Sequence, residues 1–352
     1  MLWEDYSAEQ NKKNPFENHA CGFRQGKEYQ IIMEKTEIPV IDVIIPAYRP
    51  DDSFHKLIRL LLEQSVKPHH IYVLQTIEDG EQVLQPLDQR MSVHPVPKKE
   101  FDHGATRDYG AGLAVKDIGD DISQHYILFM TQDAVPAGTE LLERLVKPFG
   151  DDRTAITYAR QLAREEADLL ERLTRVHNYP PEDQVKSKED LERLGIKTYF
   201  CSDVCAMYRL DRYMEQGGFV HPTIFNEDMI MASRMIQAGY QVVYCGSAEV
   251  VHSHNYSCMQ QFHRNFDLGV SQKQYREVFE SISSEKEGAG YAKSTLLYLL
   301  KRGKPGKAFY FALQCGFKLI GYKLGKNYDH LPRKMVLWCT MTPGYVLFHQ
   351  DE

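Results

Sequence analysis

Several features that define other classes of protein are missing from this chain. It has no run of about eighteen consecutive apolar residues, so the sequence predicts no membrane-spanning helix. Its seven cysteines form an odd set, and Cys201 and Cys205 lack the second pair of a zinc site, so we expect neither a disulfide scaffold nor structural zinc. The start of the chain is polar and charged, which argues against a secretory signal. With reduced thiols, this favours a cytoplasmic protein.

The chain also lacks an excess of positive charge and any glycine-rich phosphate loop. It has 42 basic and 49 acidic residues and a net charge of -7, so composition gives no reason to expect nucleic acid as a partner. Gly104, Gly110 and Gly112 do not have the spacing of a dinucleotide-binding fingerprint, which disfavours a Rossmann dehydrogenase. A nucleotidyltransferase is disfavoured as well, because no early glycine-rich loop is suited to gripping a triphosphate.

The chain does have the composition of a globular protein with unevenly distributed charge. Its 352 residues are 43% hydrophobic and 26% charged, enough for one large domain or one domain with an appendage. Residues 293–334 contain ten basic residues and a single acid, Asp329, and interleave lysines with apolar and aromatic side chains. This pattern is typical of interfacial helices, so we expect peripheral membrane contact there. The alternatives are a helical dimer interface and a lid on the main domain.

Hydrophobic periodicity predicts alternating strands and helices followed by a helical region. Residues 38–46 and 70–74 are apolar runs typical of buried strands, and residues 53–64 between them have helical spacing, which makes a βαβ unit. Further elements are expected in this order: extended chain at 91–100, a helix from 103, strands at 126–130 and 155–158, helices at 141–149 and 163–176, a strand at 200–209, a helix at 229–238, strands at 240–245 and 249–251, and helices after 257. The sequence therefore predicts an α/β domain at 38–258 between an extension at 1–37 and a helical region at 259–352.

The predicted strand at 126–130 ends abruptly at Thr131, Gln132 and Asp133. A uniformly apolar run of this length is typical of a central strand covered on both faces. Ligands of open α/β sheets bind beyond the carboxyl ends of such strands, which makes Asp133 a candidate ligand-binding residue. The alternative is that its carboxylate caps the helix that begins near Gly138.

Two further pairs of side chains are candidates for chemistry. His252 and His254 follow a strand, and because side chains alternate along an extended segment we expect only one imidazole to reach a given metal. A ligand set of carboxylates with one imidazole suits Mn²⁺ or Mg²⁺ better than it suits structural zinc, which prefers Cys or more His ligands. Glu227 and Asp228 open a helix, where acids are also favoured simply by the helix dipole. The alternative to metal binding at His252 and His254 is that their imidazoles are hydrogen-bonded in the core or exposed to solvent.

The order of short motifs along the chain resembles that of a known enzyme family. The motifs are IIPAY, HGATRD, TQDA, FCSDVCAMYR, GGF, NED and VVHSHNYS, and they extend from about residue 38 to residue 261. Together they resemble the family-2 glycosyltransferases, and within them the bacterial rhamnosyltransferases that build cell-surface polysaccharides. The resemblance implies the GT-A (nucleotide-diphospho-sugar transferase) fold, with a mostly parallel central sheet, and transfer of rhamnose from dTDP-rhamnose.

The resemblance also implies a role for each matching residue. The positions that contact the nucleotide sugar in similar enzymes are here Pro46, Ala47, Tyr48, Arg49, Asp79, Arg107, Asp108 and Gln132. The metal-site positions are Asp133 and His252, the catalytic base is Asp228, and Glu227 and Asp203 lie on the acceptor side or around the site. The first acid of the family's D-x-D motif is replaced here by Thr131. From the residues alone, Arg49 and Arg107 could equally hold a diphosphate or be charges on the protein surface.

The implied reaction is a single displacement with inversion at the anomeric carbon. A divalent metal, Mn²⁺ or Mg²⁺, and Arg107 would neutralise the leaving diphosphate while Asp228 deprotonates the acceptor hydroxyl. The expected partners are a nucleotide-sugar donor, a glycan acceptor such as one linked to a polyprenyl diphosphate, and a second subunit in a homodimer. Rival interpretations are another donor, such as a UDP-hexose, and a sugar-binding relative that has lost catalysis with the missing acid at Thr131.

Overall fold

A computed structural model of the chain describes residues 39–118, 122, 124–280 and 285–349. The extension expected at residues 1–37 lies outside these residues. The strands are β1 (Val40–Tyr48), β2 (His70–Ile77), β3 (Met91–Pro97), β4 (His125–Met130), β5 (Val135–Pro136), β6 (Thr154–Leu162), β7 (Gln184–Lys186), β8 (Cys205–Arg209) and β9 (Gln241–Val251). The helices are α1 (Asp52–Leu62), α2 (His103–Ile118), α3 (Leu141–Val146), α4 (Leu169–Asn178), α5 (Leu191–Leu194), α6 (Leu210–Glu215), α7 (Glu227–Gln237), α8 (Cys258–Gln274), α9 (Arg276–Phe279), α10 (Glu285–Lys301), α11 (Pro305–Gly325), α12 (Arg333–Cys339) and α13 (Pro343–His349).

The nine strands of the described residues form one mixed sheet, and its three longest pairings are parallel. The order is β3-β2-β1-β4-β8-β6-β9-β5, and β7 pairs with β9. Strands β3, β2, β1 and β4 are mutually parallel, β8 is antiparallel to both of its neighbours, and β6 is parallel to β9. Strands β1, β2, β4, β6 and β9 therefore point the same way. This arrangement, with helices following it, confirms the expected GT-A type of α/β fold.

The central strand predicted from its uniform apolarity is confirmed. Strand β4 lies between β1 and β8 in the interior of the sheet. Ile127 and Phe129 pack into the core on one face, whereas Leu128 and Met130 pack into the core on the other. Alternate side chains of one strand are therefore buried by two separate layers, which explains why no polar residue interrupts it.

Three elements differ from the sequence prediction. The strand expected at 200–209 is only β8, because Ser202 and Asp203 form a turn in which Asp203 accepts a hydrogen bond from the Tyr208 hydroxyl at 2.7 Å. The helix expected at 163–176 begins at Leu169, where Asp168 caps it. The two strands expected at 240–245 and 249–251 are one strand, β9, since both parts pair with β6 around a bulge.

The described residues after Ser257 are predominantly helical, as expected. Helices α8 and α11 pack backbone to backbone: a Cβ added at Gly321 would lie 2.2 Å from the Phe262 carbonyl oxygen, and one at Gly325 would lie 2.0 Å from that of Phe266. None of the helices in the described part of the chain combines the length and apolarity needed to cross a membrane. The two long helices of the helical region are thus held together by close backbone packing.

Candidate functional site

The direction of the strands gathers several polar side chains at one edge of the sheet. Strands β1, β4, β6 and β9 all end at this edge, and the residues that follow are Arg49, Thr131 to Asp133, Ala163 and Arg164, and His252. The peptide N–H of His252 donates to the carbonyl oxygen of Leu162 at 2.9 Å, which joins the ends of β6 and β9. The site therefore lies where ligands of open α/β sheets bind.

Asp133, His252 and His254 converge on one point. The Asp133 Oδ1 lies 3.6 Å from the His252 Nε2, and its Oδ2 lies 3.3 Å from the His254 Nε2. One ligand atom from each of the three residues lies within 4.8 Å of the others. The N-cap of α3 is Glu140 and not Asp133, so the capping alternative is excluded.

The expectation that the two imidazoles point to opposite faces is wrong. Strand β9 ends at Val251, so the alternation that holds within a strand does not extend to His252 and His254. The imidazole of His254 stacks on the Tyr256 ring, with 5.2 Å between centroids, and its Nε2 faces Asp133. His254 is therefore a third candidate ligand beside the two that the sequence indicated.

Gln161 and Arg164 control the state of this cluster. The Gln161 Oε1 lies 3.1 Å from the His252 Nδ1, and because a carbonyl oxygen only accepts, it keeps the proton on Nδ1 and leaves the Nε2 lone pair facing the cluster. Arg164 donates from Nη2 to the Asp133 Oδ2 at 3.1 Å. Burial lowers the pKa of His252 well below its usual value and also lowers the pKa of His254. Both imidazoles are therefore neutral, as metal ligands must be.

The donor set fits a divalent transition metal. The residues offer one carboxylate and two neutral imidazoles, and a divalent ion held by three such ligands has further coordination positions for oxygen atoms of a substrate. Imidazole is a good ligand for Mn²⁺ and heavier divalent ions, whereas Mg²⁺ prefers oxygen atoms throughout. Of the two ions expected from the sequence, the residues present fit Mn²⁺ better.

A second cluster of acids lies at the start of α7. Arg107 is 5% exposed; its Nη1 lies 3.1 Å from the Glu227 Oε1, and its Nε lies 3.5 Å from the Asp203 Oδ2. Asp228 is different, because it makes no ion pair among the described residues and accepts only backbone N–H groups, from Asp203 at 3.3 Å and Met229 at 2.7 Å. Asn226, not an acid, occupies the N-cap, with a left-handed φ of 68°. The acids are therefore not merely caps.

Burial sets the protonation of these acids. Burial and the neighbouring charge of Glu227 raise the pKa of Asp228 to about 7. Burial likewise raises the pKa of Asp203 well above its usual range, although the Arg107 guanidinium opposes this. A carboxylate with a pKa near neutrality that faces a cavity is suited to accept a proton from a bound hydroxyl.

Asp133, His252, His254 and Asp228 all line one cavity of about 440 Å³, the main cavity. An adjoining side cavity of about 270 Å³ is lined by Pro46, Ala47, Tyr48 and Gln132. His103, Arg107 and Thr131 line both, so the two cavities meet at the end of β4 and the start of α2. The Gln132 amide holds Tyr48 in place through bonds to its N–H at 2.8 Å and to its carbonyl at 3.0 Å.

Three residues expected at the nucleotide lie elsewhere. Asp79 is exposed and lines neither cavity. Arg49 is exposed at the rim, paired with Glu78 at 3.3 Å. Asp108 faces the turn after α6, where it accepts hydrogen bonds from the Tyr213 hydroxyl and, at 2.9 Å, from the Phe219 N–H.

Several residues at the site were not indicated by the sequence. Glu78 accepts a hydrogen bond from the Tyr48 hydroxyl at 2.5 Å, and Lys98, which lines the side cavity, donates to it at 2.6 Å. Arg264 and Lys318 reach the main cavity from the C-terminal helices. Only the position of Glu78, directly after β2, could have indicated its place; the helical residues are too distant in sequence to be assigned to the site.

Comparison with known sequences gives two close similarities. The model of glycosyl transferase family 2 matches residues 42–215. The O-antigen chain rhamnosyltransferase RfbN of Salmonella typhimurium is 36% identical over 315 residues, which cover 87% of this chain and 95% of that protein. The O-antigen chain rhamnosyltransferase WbaN of Salmonella anatum is 33% identical over 319 residues, which cover 88% of this chain and 96% of that protein.

Solved structures show a more distant similarity. The mannosyltransferase PcManGT from Pyrobaculum calidifontis, in complex with GDP-Man and Mn²⁺, aligns with a TM-score of 0.48 and 12% identity over 100% of this chain and 94% of that one. The S. aureus TarS 1-349 structure aligns with a TM-score of 0.44 and 10% identity over 83% of this chain and 91% of that one.

Proposed function

The chain belongs to the family 2 glycosyltransferases, and from that premise we propose that it transfers rhamnose from dTDP-rhamnose to a growing cell-surface polysaccharide, with inversion. The observation that carries the proposal is the convergence of Asp133, His252 and His254 with Asp228 in one cavity, beside a second cavity at the end of β1. The sugar and its destination are taken from the two rhamnosyltransferases of O-antigen chains that the sequence resembles.

In the proposed reaction Asp228 acts as the general base. It removes the proton from an acceptor hydroxyl as that oxygen bonds to the anomeric carbon, while the bond from that carbon to the donor diphosphate breaks. A single displacement of this kind inverts the anomeric configuration, so a β-linked donor gives an α-rhamnoside. Asp228 is suited to the role because, unlike Glu227 and Asp203, it is not neutralised by Arg107.

We place the donor across the two cavities. The nucleobase occupies the side cavity against Pro46, Ala47 and Tyr48, and the diphosphate lies at the junction, near Asp133. A divalent cation held there by Asp133, His252 and His254 would stabilise the charge of the leaving diphosphate. Arg164 pairs with Asp133 and so places a guanidinium beside this charge. For Arg107 we propose a different role from the one expected from the sequence, as the partner of Glu227 and Asp203.

We propose that residues 38–258 form the catalytic domain and that the helical region contacts a membrane surface. Phe309 is 68% exposed on α11, and Leu319 and Ile320 are 54% and 55% exposed. Lys304 and Lys307 are exposed at the start of the same helix, so apolar and basic groups share it, as in helices that bind anionic lipid.

The protein would then act at the cytoplasmic face, where a polyprenyl-diphosphate-linked acceptor is accessible. Co-sedimentation with anionic but not neutral vesicles is the expected result; a concentration-dependent dimer that excludes vesicles favours the homodimer instead.

The function is tested with a panel of nucleotide sugars, each incubated with the protein and Mn²⁺, with Mg²⁺ or with EDTA. We expect release of the nucleoside diphosphate from dTDP-rhamnose, faster with Mn²⁺ than with Mg²⁺ and abolished by EDTA. Preference for a UDP-hexose would replace the donor assignment. Binding without cleavage of any donor would identify a sugar-binding protein, the alternative that the missing acid at Thr131 raised.

A further inference from the structure

Two cationic side chains reach the main cavity from the C-terminal helices. Arg264 comes from α8 and Lys318 from α11, and both line the cavity that contains Asp133 and Asp228. Neither makes an ion pair or a hydrogen bond among the described residues. The family model ends at residue 215 and covers neither residue.

The fold holds these two cations in place. The close contact of α8 with α11 at Gly321 and Phe262 fixes the register of the two helices, and Arg264 and Lys318 each lie within one turn of that contact. The Arg264 guanidinium lies over the Phe225 ring, 4.6 Å from its centroid, and 5.9 Å from that of Tyr256. Contact with ring faces leaves the guanidinium edge free to donate hydrogen bonds.

Apart from Asp228, the acids that line the cavity are already paired with other cations. Glu171 accepts from the Arg175 Nε at 2.6 Å, Glu227 pairs with Arg107, and Asp133 with Arg164. Lys318 is half-buried, and this burial lowers the pKa of its ammonium group. A cation that is partly removed from water without a counterion is costly, so an anionic ligand would stabilise it.

We propose that Arg264 and Lys318 form a subsite that binds a diphosphate group at the entrance of the main cavity. Arg264 is exposed whereas Lys318 is half-buried, so the subsite extends from solvent into the cavity. Both substrates of the proposed reaction can carry a diphosphate, the donor in its nucleotide and a lipid-linked acceptor in its anchor. The identity of these two ligands rests on the proposed function, whereas the anion-binding subsite itself does not depend on it.

The subsite is tested with inorganic pyrophosphate on the full chain in EDTA, by titration calorimetry, so that no metal contributes. We expect Lys318→Met and Arg264→Met each to weaken binding about tenfold, because each removes a charge-assisted hydrogen bond. Lys318→Arg should retain binding. Lys307→Met is the matched control, since Lys307 lies exposed on the same helix outside the cavity, and it should leave the affinity unchanged. Equal affinity of the wild-type protein and both cavity variants, all with unchanged melting temperatures, overturns the subsite.

Two further titrations identify the source of the diphosphate. One uses dTDP with Mn²⁺ and the other farnesyl diphosphate without metal. If Lys318→Met weakens binding of farnesyl diphosphate alone, the subsite serves the acceptor; if it weakens binding of dTDP, it serves the donor. Binding is measured without turnover, so a protein that binds pyrophosphate through these residues but transfers no sugar would refute the proposed function and leave the subsite standing.

Discussion

The Nε2 atoms of His252 and His254 lie 3.1 Å apart, beside the carboxylate of Asp133. At that distance two imidazolium groups would repel each other strongly, so at most one proton can lie between the two nitrogen atoms. Burial lowers the pKa of both rings and further favours the neutral forms. The pair is thus prepared to exchange its shared proton for a divalent cation near neutral pH.

We expect Asp133→Asn, His252→Ala and His254→Ala each to lower the affinity for Mn²⁺ by at least about tenfold, because each removes a direct ligand. Titration calorimetry measures the affinity. His330→Ala is the control, because His330 is an exposed imidazole on another part of the surface. Unchanged affinity in His254→Ala would show that the second imidazole is not a ligand and restore the single-histidine site expected from the sequence.

The sequence identified the positions of this cluster but not its geometry. Asp133 can be predicted as a site residue because it follows the end of a uniformly apolar strand, and the hydrophobic pattern of a sequence predicts where such strands end. The direction of His254 could not be predicted because the end of β9 at Val251 is set by pairing with β6, and beyond that end the side chains no longer alternate between the two faces. Arg164 and Gln161 were missed because their partners are far away in the chain and their own surroundings carry no distinctive pattern.

The pH dependence of transfer should report Asp228. Its pKa in the folded protein is raised to about 7, so the deprotonated, basic form appears as pH rises through that value. We expect kcat/KM to increase over this range and then level off, and Asp228→Asn to lose transfer. Glu227→Gln should move the rise to lower pH, because the charge of Glu227 is one cause of the raised pKa.

Asp228 should also make the stability of the protein depend on pH: activity is expected to rise with pH, whereas the free energy of unfolding is expected to fall. A carboxyl group whose pKa is higher in the folded state than its ordinary 3.8 loses stability as pH rises between the two values. Asp228→Asn avoids this loss, so its melting temperature should exceed that of the wild-type protein at pH 8 and differ less at pH 5. An inactive Asp228→Asn protein that melts earlier at pH 8 would indicate a structural role instead.

Arg107 should be required for stability. It is buried between Glu227 and Asp203, so Arg107→Met leaves two buried carboxyl groups without a cation, and we expect a loss of about 3–5 kcal/mol in the free energy of unfolding. Urea denaturation at pH 7 measures it. Arg153→Met removes an exposed pair with Asp151 and should cost less than about 1 kcal/mol. A small effect at Arg107 would instead favour the expectation that it is free to bind the donor diphosphate.

Arg107 illustrates a general limit of the sequence. The HGATRD motif placed it correctly on a helix next to the site, but nothing in the motif shows which charges surround it after folding. Its partners come from the turn before β8 and from the first turn of α7. The same limit applies to Asp79, where a turn after β2 brings Glu78 rather than Asp79 to Tyr48.

The contact between α8 and α11 offers a test that links packing to the cavity. A methyl group at Gly321 would lie 2.2 Å from the Phe262 carbonyl oxygen, whereas one at Gly316, on the same helix, would meet nothing within 4 Å. We expect Gly321→Ala to destabilise the protein by about 1–3 kcal/mol because the helices must separate. Gly316→Ala should be neutral or stabilising by up to about 1 kcal/mol, since alanine favours the helix.

Because the helices carry Arg264 and Lys318, Gly321→Ala should also weaken binding of pyrophosphate, and Gly316→Ala should not. Full pyrophosphate affinity in a destabilised Gly321→Ala protein would show that the two cations are positioned independently of this contact.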